Sequence, residues 1–156
     1  MTERPVLIAA GGTGGHVFPA NSLVEALIQR GHRVSVVTDA RGNVFRELDQ
    51  RVAVHLVRAG PLAGSIGRQL MGVTSLGIGL AQAARLLHSI SPVAAIGFGG
   101  YASVPTMLAA GWLGVPTLIH EQNGIMGRAN RFLASRAKMI ALSLKNTGGL
   151  REDYLS

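Results

Sequence analysis

Short apolar runs alternate with longer amphipathic stretches along this chain. Six runs have the length and composition of β-strands, and they cover Val6–Ala10, Arg33–Thr38, Val52–Val57, Val93–Gly97, Val115–His120 and Lys138–Leu142. The stretches between them predict helices from Val17 to Ile28, over Asn43–Asp49, from about Ser65 through Gln69–Ala84, over Ser103–Ala110 and over Arg128–Arg136. Such alternation predicts an α/β fold, a Rossmann-like parallel sheet with helices on both faces.

Three of the predicted strands end in glycine-rich or polar segments. Gly11–His16 (GGTGGH) follows the first strand, Gly97–Ser103 (GFGGYAS) the fourth, and His120–Asn123 (HEQN) the fifth. The carboxyl ends of parallel strands meet at one edge of a sheet, where open α/β folds bind ligands. The sequence therefore predicts one site at this edge, with Ser103 as the N-cap of the following helix.

The Gly11–His16 turn has the features of an anion site. Its glycines allow close backbone approach, and the first N–H groups of the next helix have no partner inside that helix. A dinucleotide fingerprint needs G-x-G-x-x-G, but counting from Gly12 places Val17 at the third glycine. A nicotinamide site with Asp39 on the ribose therefore stays an alternative, as does a turn that serves packing alone.

The net charge of +7 over 156 residues restricts the class of partner. Aromatic residues make up 4% of the chain and do not alternate with basic ones, so nucleic acid is not the expected partner. A phosphorylated substrate or an anionic membrane surface fits the charge better, and a charge that serves solubility alone is the other interpretation.

Residue types also limit the chemistry. The chain has no cysteine, which excludes disulfides and cysteine-based redox or metal sites. Neither an Asp-x-Asp motif nor a histidine–carboxylate cluster at ligand spacing is present, so we expect no metal and no cofactor. The polar Met1–Pro5 argues against a signal peptide, and we expect cytoplasmic residence.

The uncharged stretch Gln69–Ala84 has two interpretations. It is shorter than the ~20 apolar residues that a transmembrane helix needs, so it is expected either to face the core or to contact a membrane surface. The second interpretation predicts an exposed patch that would bind an anionic leaflet from one side. Its expected members are Ile66, Arg68, Leu70 and Met71.

Three segments together resemble the MurG family of glycosyltransferases: GGTGGHVFPA at Gly11–Ala20, GFGGYASVP at Gly97–Pro105 and HEQNGIMGRAN at His120–Asn130. The resemblance runs from Val6 to Leu142. It implies transfer of N-acetylglucosamine from UDP-N-acetylglucosamine (UDP-GlcNAc) to undecaprenyl-linked lipid I, which gives lipid II for peptidoglycan, at the cytoplasmic face of the bacterial inner membrane.

The same resemblance implies a domain plan. Members of the family have a two-domain GT-B fold, and this chain matches the N-terminal half. Residues 1–145 would form the acceptor-binding domain, and residues 146–156 a linker or tail toward a C-terminal domain that contacts the UDP-sugar. We expect the chain to be inactive alone. The alternatives are another GT-B transferase with a lipid acceptor and a non-catalytic module that binds lipid diphosphate and membranes.

Site residues follow from the matched positions. The resemblance implies donor binding by Thr13, Gly14, Gly15 and Asn123. It implies binding of the acceptor diphosphate by Gly12, Gly99, Gly100 and Tyr101. It implies that His16 is the general base.

Imidazole suits the role of general base because its ordinary pKa of about 6.5 leaves it able to accept a proton at neutral pH. A helix-capping or phosphate-binding role for His16 is the alternative. Glu121 is a rival base, with an ion pair to Arg128 or Arg131 as its structural alternative. For His120 we expect a hydrogen bond that supports the loop.

Overall fold

The computed structural model describes residues 4–11, 14–40, 45, 50–60 and 66–150, with the backbone alone at 66–70. Its strands are β1 (Val6–Ala9), β2 (Val34–Thr38), β3 (Ala53–Leu56), β4 (Ala94–Gly97), β5 (Thr117–Glu121) and β6 (Met139–Leu142). Its helices are α1 (Gly14–Gln29), α2 (Ile66–Ile90), α3 (Ser103–Trp112) and α4 (Arg128–Leu133), the last continued by a 3₁₀ turn over Ala134–Arg136.

The six strands form one parallel sheet in the order β3-β2-β1-β4-β5-β6. The predicted parallel sheet is therefore confirmed. Most strands are one or two residues shorter than the apolar runs that predicted them. β5 differs in position, because it begins at Thr117 and includes Glu121, which the sequence had placed in the following loop.

The two faces of the sheet carry separate apolar clusters. Alternate residues of a strand point to opposite faces, so Leu7 and Ala9 of β1 pack with residues of α2, α3 and α4. Ile8 and Ala10 pack with the buried face of α1 and with Phe45. Helices cover both faces, as the alternation of elements predicted.

Helix α2 contains the long uncharged stretch and has two kinds of surface. Gly72, Gly79 and Ala83 are buried, with Ala83 fully enclosed by the first cluster. Met71 and Ile78 are exposed, at 71% and 42% of their surface. The expectation of a core-facing helix is met on one side of α2, and the other side leaves apolar side chains uncovered. Within the described ranges, no helix is both long enough and apolar enough to cross a bilayer.

The predicted linker begins on the domain itself. Gly148 pairs with Ile125 as an isolated bridge and accepts a hydrogen bond from the backbone N–H of Met126 at 2.8 Å. Thr147 is buried, and Leu150 packs against the first apolar cluster. Residues 151–156 lie outside the described residues, as does the predicted helix over Asn43–Asp49 apart from the buried Phe45.

Candidate active site at the carboxyl edge of the sheet

The loops after β1 and β4 meet where the strand order changes direction. These two strands are neighbours, yet their following helices cover opposite faces of the sheet. The backbone N–H of Gly11 donates to the carbonyl of Gly99 at 3.0 Å, and the N–H of Phe98 donates to the carbonyl of Ala9 at 2.8 Å. Such a topological switch point is where open α/β sheets place their ligands.

Close backbone contact explains two of the glycines. An ideal Cβ at Gly100 would lie 2.6 Å from the Cα of Gly11, and Gly100 has a φ of +79°, which side chains disfavour. A Cβ at Gly11 would lie 2.7 Å from the Cα of Gly100. The two loops therefore pack backbone against backbone, in addition to any contact with a ligand.

The predicted N-cap role of Ser103 is wrong. Ala102 is the N-cap residue of α3 and Ser103 is its first helical residue. The hydroxyl of Ser103 is fully buried, within 2.8 Å of the Ala9 carbonyl and 2.7 Å of the Gly99 carbonyl. The hydroxyl therefore ties the start of α3 to the end of β1 and to the loop after β4, a long-range contact that local capping patterns do not reveal.

His16 lies where all three loops come together. It is the third residue of α1 and is half-buried. Its Nδ1 is 2.6 Å from the side-chain amide of Gln122, in the loop after β5. Its ring also lies against Gly99, where an added Cβ would be 3.1 Å from both Nδ1 and Cε1. The fold thus surrounds one imidazole with groups from the loops after β1, β4 and β5.

Gln122 is the site residue that sequence reasoning missed. Its one signal was its place in HEQN, between two residues that were already candidates. A glutamine side chain does not ionise, so the sequence alone does not single it out. The fold shows that its amide contacts an imidazole 106 positions earlier in the chain.

Glu121 is enclosed by hydrogen-bond donors. Its Oε1 accepts from the backbone N–H and the side-chain amide of Asn123, at 3.0 and 2.9 Å. Its Oε2 accepts from the backbone N–H of Gly127 and the amide of Asn130, at 2.8 and 3.0 Å. The carboxylate is 0% exposed. These amide partners stand in place of the expected ion pair with Arg128 or Arg131.

These contacts set the protonation state of Glu121. Burial alone would raise the pKa of the carboxyl group, but the hydrogen bonds from Gly127, Asn123 and Asn130 outweigh it. They hold the pKa of Glu121 below its ordinary value, because each donor favours the charged form. Glu121 is therefore a carboxylate bound to its own loop.

His120 supports the same loop. Its Nε2 is 3.1 Å from the hydroxyl of Ser143, after β6, and its ring packs on Phe98 with centroids 5.0 Å apart. The backbone carbonyl of His120 also accepts a hydrogen bond from Asn130 at 2.9 Å. These contacts match the supporting role expected for His120.

The remaining predicted site residues fall into two groups. Gly14 and Gly15 form the first turn of α1, Asn123 is exposed beside Glu121, and Tyr101 is 40% exposed. Gly12 and Thr13 lie outside the described residues, as do the side chains of the patch residues Ile66, Arg68 and Leu70. In the part of the chain that is described, no three histidine or carboxylate side chains are grouped to hold a metal ion.

Residues 6–142 match the model of the glycosyltransferase family 28 N-terminal domain. The chain is 47% identical over 150 residues to the UDP-N-acetylglucosamine–N-acetylmuramyl-(pentapeptide) pyrophosphoryl-undecaprenol N-acetylglucosamine transferase of Rhodospirillum centenum. That match covers 96% of this chain and 40% of the relative. The protein of the same name from Rhodospirillum rubrum is 50% identical over 140 residues, covering 88% of this chain and 36% of the relative.

Solved structures of glycosyltransferases are also similar to this chain. The crystal structure of Acinetobacter baumannii MurG matches with a TM-score of 0.80 and 36% identity, covering 96% of this chain and 44% of that one. The calicheamicin glycosyltransferase CalG4 matches with a TM-score of 0.58 at 23% identity, a likeness of fold alone. The chain thus spans about 40% of the length of the curated relatives that it matches.

Proposed function

Because the chain belongs to the glycosyltransferase family 28 N-terminal domain family, we propose that it is the acceptor-side half of an enzyme that transfers N-acetylglucosamine from UDP-GlcNAc to undecaprenyl-linked lipid I. The observation that carries the proposal is the imidazole of His16 at the junction of three loops, at the sheet edge where the fold binds ligands. The names of the relatives supply the substrates.

The proposed reaction is a direct displacement. A hydroxyl oxygen of the acceptor's N-acetylmuramyl group forms a bond to the anomeric carbon of the donor sugar. The bond from that carbon to the diphosphate oxygen breaks, and its electron pair leaves with UDP. The hydroxyl proton passes to the free ring nitrogen of His16, which acts as general base. Attack opposite the leaving group inverts the anomeric centre.

We assign the base to His16 rather than Glu121. Both oxygens of Glu121 already accept two hydrogen bonds each, and the side chain has no exposed surface. A general base must come within hydrogen-bond reach of the substrate proton. Nε2 of His16, in contrast, has no hydrogen-bond partner among the residues described. Glu121 acts by fixing the loop that carries Gln122 and Asn123.

Backbone groups would bind the diphosphates of the two substrates. The first turn of α1 offers N–H groups without helical partners at Gly14 and Gly15, and a Cβ at Gly15 would point into open space. Together with Thr13 and Asn123 they form the proposed donor side of this half. Gly12, Gly99, Gly100 and Tyr101 form the proposed acceptor side. A C-terminal domain would supply the other contacts to UDP-GlcNAc, and residues 146–156 would lead toward it.

We further propose that α2 contacts the anionic surface of the bacterial inner membrane on its cytoplasmic side, without spanning it. Met71, Ile78 and Arg85 are spaced seven residues apart, so they lie on one face of α2, and all three are exposed. Apolar side chains next to a cation are the groups that bind an interfacial membrane layer. Met71 belongs to the predicted patch of Ile66, Arg68, Leu70 and Met71, and it is the member whose side chain is described.

Vesicle co-sedimentation tests the membrane contact. The chain is expected to bind vesicles containing anionic lipid more strongly than neutral ones, and Met71→Glu with Ile78→Glu is expected to reduce the bound fraction several-fold. Val73→Glu is the matched control, because Val73 is exposed on a different face of the same helix. Equal binding by the double variant and the control would contradict the contact.

Reconstitution tests the transferase. The chain is combined with the C-terminal half of the R. centenum relative, UDP-GlcNAc and a lipid I analogue, and release of UDP is followed. We expect turnover that requires both halves and both substrates. Correctly folded halves that bind the analogue but release no UDP would contradict the transferase, and would favour a non-catalytic module that binds lipid diphosphate.

A further inference from the structure

We propose that Gln122 is a positioning residue that holds the imidazole of His16 in the tautomer with its proton on Nδ1. Nε2 then keeps its lone pair for the acceptor hydroxyl. We infer the tautomer from the contact between His16 and Gln122, whereas its catalytic meaning rests on the function proposed above.

The contact between the two side chains permits two proton arrangements. The amide nitrogen of Gln122 lies 2.6 Å from Nδ1. In that orientation the amide donates, Nδ1 must be unprotonated, and the proton of the neutral ring is on Nε2. Rotating the amide by 180° exchanges its nitrogen and oxygen without moving any other atom. Nδ1–H then donates to Oε1, and Nε2 is unprotonated.

The buried oxygen of Gln122 gains a partner when the amide is rotated. With the amide nitrogen toward His16, Oε1 of Gln122 is buried without a donor, and burying an unpaired acceptor is unfavourable. Rotation turns Oε1 toward Nδ1–H, so this acceptor receives a hydrogen bond, and the amide NH₂ takes its former position.

The proton transfer also favours the rotated amide, in which Oε1 of Gln122 faces Nδ1 of His16. After accepting a proton, imidazolium donates from both ring nitrogens. An amide that presents NH₂ to Nδ1 would then face another N–H at 2.6 Å. An amide that presents Oε1 keeps its hydrogen bond before and after the transfer, so no side chain has to turn during the step.

The surroundings hold both partners in this geometry. The ring of His16 has little room toward the loop after β4, because even a Cβ added at Gly99 would lie 3.1 Å from Nδ1 and Cε1. Gln122 directly follows Glu121, the buried last residue of β5, whose carboxylate binds the next turn of the loop. The amide of Gln122 is thus presented from an anchored backbone.

The tautomer can be measured without any turnover. Long-range ¹H–¹⁵N correlation spectra of this chain, recorded at a pH where the ring is neutral, report which nitrogen of His16 bears the proton. His16→Ala identifies the signals. We expect Nδ1 in the protonated range and Nε2 in the unprotonated range. The opposite assignment in the wild-type chain would overturn the proposal, whether or not the transferase function holds.

Two variants separate positioning from simple packing. Gln122→Leu keeps the approximate volume but removes the acceptor, and it is expected to shift the ring toward the Nε2–H tautomer. Gln122→Glu keeps an acceptor, and it is expected to retain the Nδ1–H tautomer. Gln29→Leu, at the exposed end of α1, is the matched control. An unchanged tautomer in Gln122→Leu would overturn the proposal.

In the reconstituted enzyme the same variants have a kinetic signature. Gln122→Leu is expected to lower kcat about tenfold with little change in the KM for UDP-GlcNAc. Gln122→Glu is expected to retain turnover and to move the acid limb of the pH–rate profile to higher pH, because a carboxylate stabilises imidazolium. An increase in the KM for UDP-GlcNAc with an unchanged kcat would show that Gln122 binds substrate rather than orienting His16.

Discussion

Two ionisable side chains, His16 at the start of α1 and Glu121 at the end of β5, lie at the same edge of the sheet in different surroundings. Glu121 has four N–H donors on two oxygens and no exposed surface. His16 has one ring nitrogen bonded to Gln122 and is half-buried. The sequence identified both as candidate bases. Their hydrogen-bond partners are known only from the fold, and these partners support our proposal that His16 is the base.

Replacing Glu121 tests its structural role. Glu121→Gln places an NH₂ group against two N–H donors, so at least two charge-assisted hydrogen bonds are lost from a buried position. We expect the free energy of unfolding to fall by about 2–4 kcal/mol, as measured by urea denaturation. Glu25→Gln, on the exposed side of α1, is the control and is expected to stay within about 0.5 kcal/mol of the wild type. Comparable effects at both positions would refute the role.

The lowered pKa of Glu121 predicts how this difference varies with pH. A carboxyl group whose pKa is lower in the folded state stabilises the fold above its unfolded-state pKa of about 4.3, and that stabilisation is lost as the pH falls through the folded-state pKa. The stability difference between wild type and Glu121→Gln should therefore be larger near pH 7 than near pH 3.5. A difference independent of pH would contradict an ionised Glu121.

At the level of elements, close packing of α2 depends on one glycine. An ideal Cβ at Gly79 would lie 2.0 Å from the carbonyl oxygen of Arg58, after β3. Nothing lies within 4 Å of a Cβ at Gly77, two residues earlier on the same helix. In sequence the two glycines look alike, since both interrupt an apolar helical stretch.

This pair gives a matched test. Gly79→Ala must push α2 away from the loop after β3, and it is expected to destabilise the chain by about 1–3 kcal/mol. Gly77→Ala removes backbone freedom from the unfolded chain without a clash and is expected to stabilise it by roughly 0.5–1 kcal/mol. Thermal or urea unfolding measures both. Similar values for the two variants would contradict the packing described for α2.

The elements themselves were largely predictable, because strand and helix periods are local properties of the chain. The apolar runs located all six strands to within a few residues. The predictions that were wrong concern residues whose hydrogen-bond partners are far away in the sequence. Ser103 looked like a cap, but it binds carbonyls of Ala9 and Gly99. Glu121 looked like a loop residue, but pairing with Leu142 extends β5 through it.

At the level of the whole molecule, the sheet brings together three loops that are far apart in the chain. The glycine-rich and polar strand ends predicted this meeting point, since parallel strands share one carboxyl edge. They could not predict which atoms meet. The contact between His16 and Gln122 depends on the order of the strands. The face of α2 proposed to contact the membrane is separate from this site. The family resemblance supplied the proposed roles of the site residues, and the folded structure supplied their hydrogen-bond partners.

The most direct measurement of the central claim is the turnover of His16→Ala in the reconstituted enzyme. If His16 is the general base, kcat for UDP release should fall by at least about 100-fold while the KM for UDP-GlcNAc changes little. His32→Ala, an exposed position beyond α1, is the control and should keep wild-type turnover. Turnover of His16→Ala within about threefold of the wild type would contradict the account.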